Sequence, residues 1–158
     1  MPYKLLGKTR LGDPKLAEAM CRDVIAACRP LGDVNVADAP GGQAGAVAAG
    51  LEQVREGPVG IVNADVPCVT TEELEQLLAA APAIVAARDG TTNAIALRRP
   101  EDFRPLYGRR SAKRFERALG AQRLDLPGLV EDVDTWEDLM RVADRVGRHT
   151  RRALKVRA

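Results

Sequence analysis

Histidine is nearly absent from this sequence: one of its 158 residues, His149, carries an imidazole, and it lies in an Arg-rich stretch away from any cluster of acids or nucleophiles. Ser-His and Cys-His catalysis are therefore disfavoured, and so is a zinc site built on imidazoles. Cysteine is scarce as well. Cys21, Cys28 and Cys68 are odd in number, lack C-x-x-C spacing and sit in apolar stretches, so they read as small buried hydrophobes rather than bridges or ligands. No apolar run approaches the roughly 20 residues that span a bilayer. No basic-then-apolar leader opens the sequence, which sets the expectation of a cytoplasmic protein. Internal repeats and low-complexity linkers are missing too. Reactions in such a chain must rely on carboxylates, Lys, Arg, hydroxyls, backbone N–H groups and a hard, oxygen-bound cation.

What is present is an ordinary globular composition, 46% hydrophobic and 29% charged with a net charge of +2, on a length suited to one domain. A helix is predicted where Leu16, Met20, Val24 and Cys28 recur every fourth residue, and a second over 43–54 after the break Pro40-Gly41-Gly42. Residues 3–5 and 33–37 are strand candidates. Val59-Gly60-Ile61-Val62 and residues 83–87 are short apolar runs of the buried-strand type, and residues 91–97 follow the Asp89-Gly90 turn as a further strand. Thr70 with Glu73 spells a capping box; Ser111 and Thr135 are candidate caps of later helices, the last with the face Trp136, Leu139, Met140, Ala143 and Val146. Leu124 and Leu129-Val130 are short strand candidates. Strands alternating with helices predict an α/β domain, a three-layer Rossmann-like architecture around a mostly parallel sheet. Residues 1–146 form the expected domain and residues 147–158 a basic C-terminal tail; seven basic residues and one acid fall between 141 and 158. That tail lacks interleaved aromatics, so a solvated helix is expected ahead of a nucleic-acid-binding or regulatory surface.

In α/β sheets ligands bind at the C-terminal ends of strands. Asp65 leaves an apolar strand there, in Ile-Val-Asn-Ala-Asp-Val-Pro, and Asp132 and Asp134 alternate on one side of an extended segment before a capped helix. Each acid alone reads as a turn or helix-dipole partner; together, in a chain with one His, they fit Mg²⁺ completed by phosphate oxygens. Lys8 and Arg10, in Gly7-Lys8-Thr9-Arg10, suit a triphosphate, although a solvated basic turn fits that segment equally. A Walker loop is rejected, because the position five before Gly7 is Pro2. Gly108 and Ser111, in Tyr-Gly-Arg-Arg-Ser, offer a freed backbone and a hydroxyl near a helix start.

The ordered set Lys-Thr-Arg-Leu (8–11), Gly-Gly-Gln (41–43), Ala-Asp-Val-Pro (64–67), Gly-Thr-Thr-Asn-Ala (90–94), Tyr-Gly-x-x-Ser (107–111) and Asp-Val-Asp-Thr-x-x-Asp-Leu (132–139) resembles the phospholactate or phosphoenolpyruvate guanylyltransferases of coenzyme F420 biosynthesis. The strand-exit Asp and the last motif are shared with other nucleotidyltransferases, those of the molybdenum cofactor among them, which keep the fold and change the substrates. The resemblance implies a nucleotide-diphosphosugar-transferase fold and transfer of GMP from GTP to a small phosphorylated carboxylic acid, phosphoenolpyruvate first. It implies Mg²⁺ on Asp65, Asp132 and Asp134, and phosphates met by Lys4 and Lys8. The acceptor would lie against the backbone around Asn93 and Gly108 and the hydroxyl of Ser111, and the guanine by Gly41, Gly42 and Gln43. Expected partners are GTP and the phosphoacid, with no membrane and no nucleic acid. The opening is shorter than in that family, nine residues separate Cys28 from Asp38 where relatives carry a further strand and helix, and Gln43 stands where they carry Asn. That shortening predicts either homo-oligomers that cover the nucleotide side or weak, poorly base-selective GTP binding.

Overall fold

A computed structural model describes residues 10–157; the expected strand at 3–5, with Lys4 and Lys8, lies outside the described residues. Helix α1 (Pro14–Cys28) begins where Asp13 accepts hydrogen bonds from the N–H groups of Lys15 and Leu16 at 3.0 and 3.2 Å, with Pro14 in the first turn. Its stripe buries Leu16, Met20 and Val24. Helix α2 (Gly42–Leu51) follows the glycine break, and β1 (Val59–Val62) forms as expected. Helix α3 (Thr71–Ala79) has the complete capping box of Thr70 and Glu73. Strands β2 (Ala83–Ala86) and β3 (Thr92–Leu97) come next, then α4 (Ser111–Leu119), the two-residue β4 (Gln122–Arg123), the short α5 (Pro127–Val130), α6 (Trp136–Val142) and α7 (Arg148–Lys155).

The sheet order is β1-β3-β2-β4. The short connection over residues 87–91 folds β3 back against β2, and β3 slots antiparallel between β1 and β2, while β2 and β4 pair in parallel. Three strands thus share a direction and one opposes them, so the α/β class holds with a mixed rather than mostly parallel ladder. Alternation along the central strands feeds two cores. Ala83, Val85, Ala94 and Ala96 face Val24, Leu74, Leu77 and Leu129, and on the other face Ile84, Ile95 and Leu97 meet Ala112 and Phe115 of α4. Helices therefore cover both faces, giving the three layers expected.

Several local expectations fail for identifiable reasons. Residues 33–37 form no ladder; Val34 and Val36 are exposed, and Asn35 touches α2 through a 3.4 Å bond to the Gly50 carbonyl. Alternation alone makes no strand without a partner backbone. Leu129-Val130 is helical because Pro127 starts a turn of helix, and Leu124 falls just beyond β4. The last predicted helix divides at Ala143 into α6 and α7, which exposes Met140 and buries Val142 instead. The expected basic tail is largely α7, packed on α1: Asp23 of α1 accepts from the N–H groups of His149 and Thr150, both at 2.9 Å. Cys21 and Cys68 are buried and Cys28 is half-buried, all as free thiols.

Candidate active site

The site forms where β1 ends and β3 begins, brought side by side by the register that pairs Val62 with Ala94. Beyond that pair the chain leaves β1 as Asn63-Ala64-Asp65, and Pro67 bars continuation of the ladder. The second acidic segment is docked here by one backbone bond, from Val133 N–H to the Asp65 carbonyl at 2.8 Å. The structure therefore brings together the two carboxylate segments that sequence spacing singled out, although they lie almost 70 residues apart.

Asp65 is the most perturbed group of the site. Its Oδ1 is sealed from solvent and has no hydrogen-bond partner among the described residues. Burial, reinforced by the neighbouring Asp132 and, more weakly, Asp134, pushes its carboxyl up to about 7. Asp132 is also raised, by burial first, and accepts a 3.3 Å bond from Asn93 Nδ2. Asp134 is half-exposed and engaged by Arg10 through its backbone N–H at 3.3 Å and its guanidinium at 3.4 Å. Arg10, expected to meet a triphosphate, thus holds an acid in the protein itself. An ion pair so exposed contributes about 0–1 kcal/mol and can yield to phosphate. Glu131 is committed elsewhere: its buried carboxylate is bonded to Arg88, which holds it below its ordinary range.

Among the described residues no three Asp, Glu, His or Cys side chains close into a metal-ligand cluster. The trio Asp65, Asp132 and Asp134 is therefore not a preformed three-ligand cage, because Asp134 is taken by Arg10. Asp65 and Asp132 remain, two repelling oxygen donors, one with a buried unpartnered oxygen. That donor set fits a hard cation such as Mg²⁺, which is commonly held by one or two carboxylates with phosphate and water oxygens completing the shell.

Gly41 and Gly42 sit exposed at the start of α2 with positive φ of 101° and 70°, a conformation that favours glycine. Gln43 follows and donates to Asn63 Oδ1 at 2.7 Å. Gln43, Asn63 and Asp65 line a cavity of about 440 Å³ together with α1, residues 33–37, α2 and β1. On the opposite side, Gly108 adopts φ 113° and Arg110 the left-handed φ of 57° that lets the chain enter α4. One local expectation changes: Ser111 is the first residue of α4 rather than its cap, and its hydroxyl is fully buried on Thr92 Oγ1 at 2.8 Å. Asn93 is buried, its side-chain amide hydrogen-bonded to the carbonyls of Leu129 and Val130 and to Asp132. Both side chains brace the site.

Three participants escaped sequence reasoning. Asn63 links Gln43 to β3; Thr92 anchors Ser111; Arg114 clamps the loop before α4 through the carbonyls of Leu106 at 3.0 Å, Tyr107 at 3.2 Å and Arg109 at 2.5 Å. Asn63 alone carried a signal, since it lies two residues before Asp65 at the exit of β1.

A three-layer α/β domain with paired carboxylates at strand ends and a glycine loop beside them defines a nucleotide-handling protein of the transferase class. The chain belongs to the MobA-like NTP transferase domain family, whose model matches residues 12–133. It is 39% identical over 93 residues to a phosphoenolpyruvate guanylyltransferase of Sphaerobacter thermophilus, covering 52% of this chain and 45% of that one. Over 110 residues it is 36% identical to phosphoenolpyruvate guanylyltransferase 2 of Rhodococcus jostii, covering 65% and 51%, and over 120 residues 38% identical to a phosphoenolpyruvate guanylyltransferase of Nocardia farcinica, covering 69% and 51%. The chain spans about half the length of the curated relatives it matches.

Proposed function

We propose that this protein is a guanylyltransferase that moves GMP from GTP to a small phosphorylated carboxylic acid, phosphoenolpyruvate or 2-phospho-L-lactate, with release of pyrophosphate. The observation that carries the reading is the buried, unpartnered Asp65 oxygen beside Asp132 at the sheet end, in a chain whose relatives bear that activity in their names. The acceptor phosphate is already an ionised nucleophile, so attack on the α-phosphorus needs alignment and charge neutralisation rather than a general base. A chain with one histidine is adequate for that task.

Mg²⁺, when bound, supplies positive charge at the α-phosphate. Asp65 and Asp132 are the residues that would hold it, and Asp134 joins them if incoming phosphate draws Arg10 away. Arg10, with Lys8, then meets the departing pyrophosphate; Lys4 is assigned to phosphate as well. Gly41, Gly42 and Gln43 flank the base. The acceptor lies against the Gly108 backbone, and Ser111 and Asn93 hold that wall. All these groups fall within residues 1–146. Among the described residues no helix is long and apolar enough to cross a membrane, and both substrates are soluble metabolites, which supports a cytoplasmic setting. Self-association belongs to the same reading, since the outer edge of β1 has no partner strand among the described residues.

Pyrophosphate release measured across a panel of nucleoside triphosphates and phosphoacids, with and without Mg²⁺, tests the proposal. GTP with phosphoenolpyruvate or phospholactate should give metal-dependent release; release with none of the pairs, from a folded protein, overturns it.

A further inference from the structure

A line of side-chain amides crosses the site. Gln43 Nε2 donates to Asn63 Oδ1 at 2.7 Å; Asn63 Nδ2 donates to the Thr92 carbonyl at 3.2 Å and to Asn93 Oδ1 at 3.4 Å; Asn93 Nδ2 donates to Asp132 Oδ1 at 3.3 Å. The polarity of this line is forced from its inner end. Carboxylate and carbonyl oxygens only accept, so Asn93 must turn its NH₂ to Asp132 and to the carbonyls of Leu129 and Val130, which leaves its oxygen towards Asn63. Asn63 must then offer its NH₂ to that oxygen and to Thr92, which leaves its own oxygen towards Gln43. Gln43 can satisfy Asn63 only as a donor. Its Oε1 is what remains for a ligand, on an exposed side chain with no other hydrogen bond among the described residues.

We propose that Asn63 is a positioning residue for base selection: it fixes Gln43 as an outward hydrogen-bond acceptor and so favours guanine over adenine. The inference rests on the guanylyl-transfer reading above. Guanine presents two adjacent donors on its pairing edge, N1–H and the 2-amino group, and both can converge on one oxygen. Adenine presents one donor beside the bare N1, whose lone pair faces the same oxygen unfavourably. Rotating Gln43 to suit adenine would set its oxygen against Asn63 Oδ1, two acceptors without a proton between them. The choice is thus transmitted to the base from Asp132 through Asn93 and Asn63.

The test compares the native chain with Asn63→Leu, which keeps the branched shape and removes both hydrogen-bonding functions, and with Gln43→Leu, which removes the acceptor offered to the base. Binding of GTP, ITP and ATP is measured by titration calorimetry without acceptor, and kcat and KM are measured for transfer. The native chain should prefer GTP to ATP by about 10-fold or more, with ITP, which lacks the 2-amino group, in between. In Asn63→Leu the preference should fall to within about 3-fold, through a GTP Kd and KM raised about 10-fold at nearly unchanged kcat. Gln43→Leu, at an exposed position and so harmless to folding, should erase it as well, and serves if Asn63→Leu does not fold. A native GTP-to-ATP ratio in folded Asn63→Leu or in Gln43→Leu overturns the inference while leaving guanylyl transfer standing. A native chain that neither binds nor turns over nucleotides removes the functional reading, and this inference with it.

Discussion

Two aspartates with buried carboxylate oxygens make opposite use of the same side chain. Asp23, on α1, is 5% exposed and fully engaged: its two oxygens take the His149 and Thr150 N–H groups at the start of α7, where the helix dipole also favours negative charge. Asp65, at the end of β1, has a buried oxygen with nothing to accept from among the described residues and two further acids nearby. The first arrangement stabilises the fold. The second weakens it unless a cation arrives, which is the pattern expected of a site kept ready for ligand. A buried carboxylate is thus informative through its partners, not its burial.

The largest expected effect breaks the comparison at Asp65. Asp65→Asn should lower metal-dependent guanylyl transfer on the order of 100-fold or more, since one charged ligand is lost. Its melting temperature should be unchanged or raised, because the repulsion with Asp132 disappears; steady-state kinetics with thermal unfolding read both.

Asp23→Ala should do the reverse. It leaves two N–H groups unpaired under α7 and should cost about 3 kcal/mol, roughly 6–12 °C in Tm by thermal unfolding, with kcat of the folded fraction retained. Gly147 sits so close to Asp23 that a Cβ there would collide with the carboxylate, so Gly147→Ala should destabilise in the same way.

The pH dependence sharpens the contrast. Asp65 is raised in the folded protein from an ordinary 3.8 to about 7. Between those values the folded state keeps a proton that the unfolded state has lost, so stability falls as pH rises from about 4 to about 7 and levels beyond it. Denaturant midpoints across that range should show the decline without Mg²⁺, and Asp65→Asn should flatten it.

The smallest effect concerns the other buried side-chain atom without a partner among the described residues, Thr150 Oγ1. It is uncharged, and nothing suggests a ligand for it. Thr150→Val keeps the shape and should change stability by less than about 0.5 kcal/mol, or raise it slightly, in chemical denaturation.

How legible each part was follows from how local its cause is. The capping box at Thr70 and the cap at Thr135 formed as read, since each is closed within four residues. Asp65 could be found because an apolar strand and Pro67 announce the exit. Asn63 was missed because its partner Asn93 lies 30 residues away, and only the β1–β3 register makes them neighbours. Ser111 was misassigned as the cap because Arg110 takes the left-handed conformation, for which an arginine gives no local signal. Residues 33–37 alternate correctly yet stay out of the sheet, since pairing depends on a backbone elsewhere.

The central claim is that Asp65 is kept uncompensated for a cation that arrives with nucleotide. Calorimetric titration of GTP with and without Mg²⁺, on the native chain, Asp65→Asn and Asp23→Asn, tests it most directly. Mg²⁺ should tighten GTP binding about 10-fold or more in the native chain and in Asp23→Asn, and hardly at all in Asp65→Asn. Equal enhancement by Mg²⁺ in all three would contradict the account.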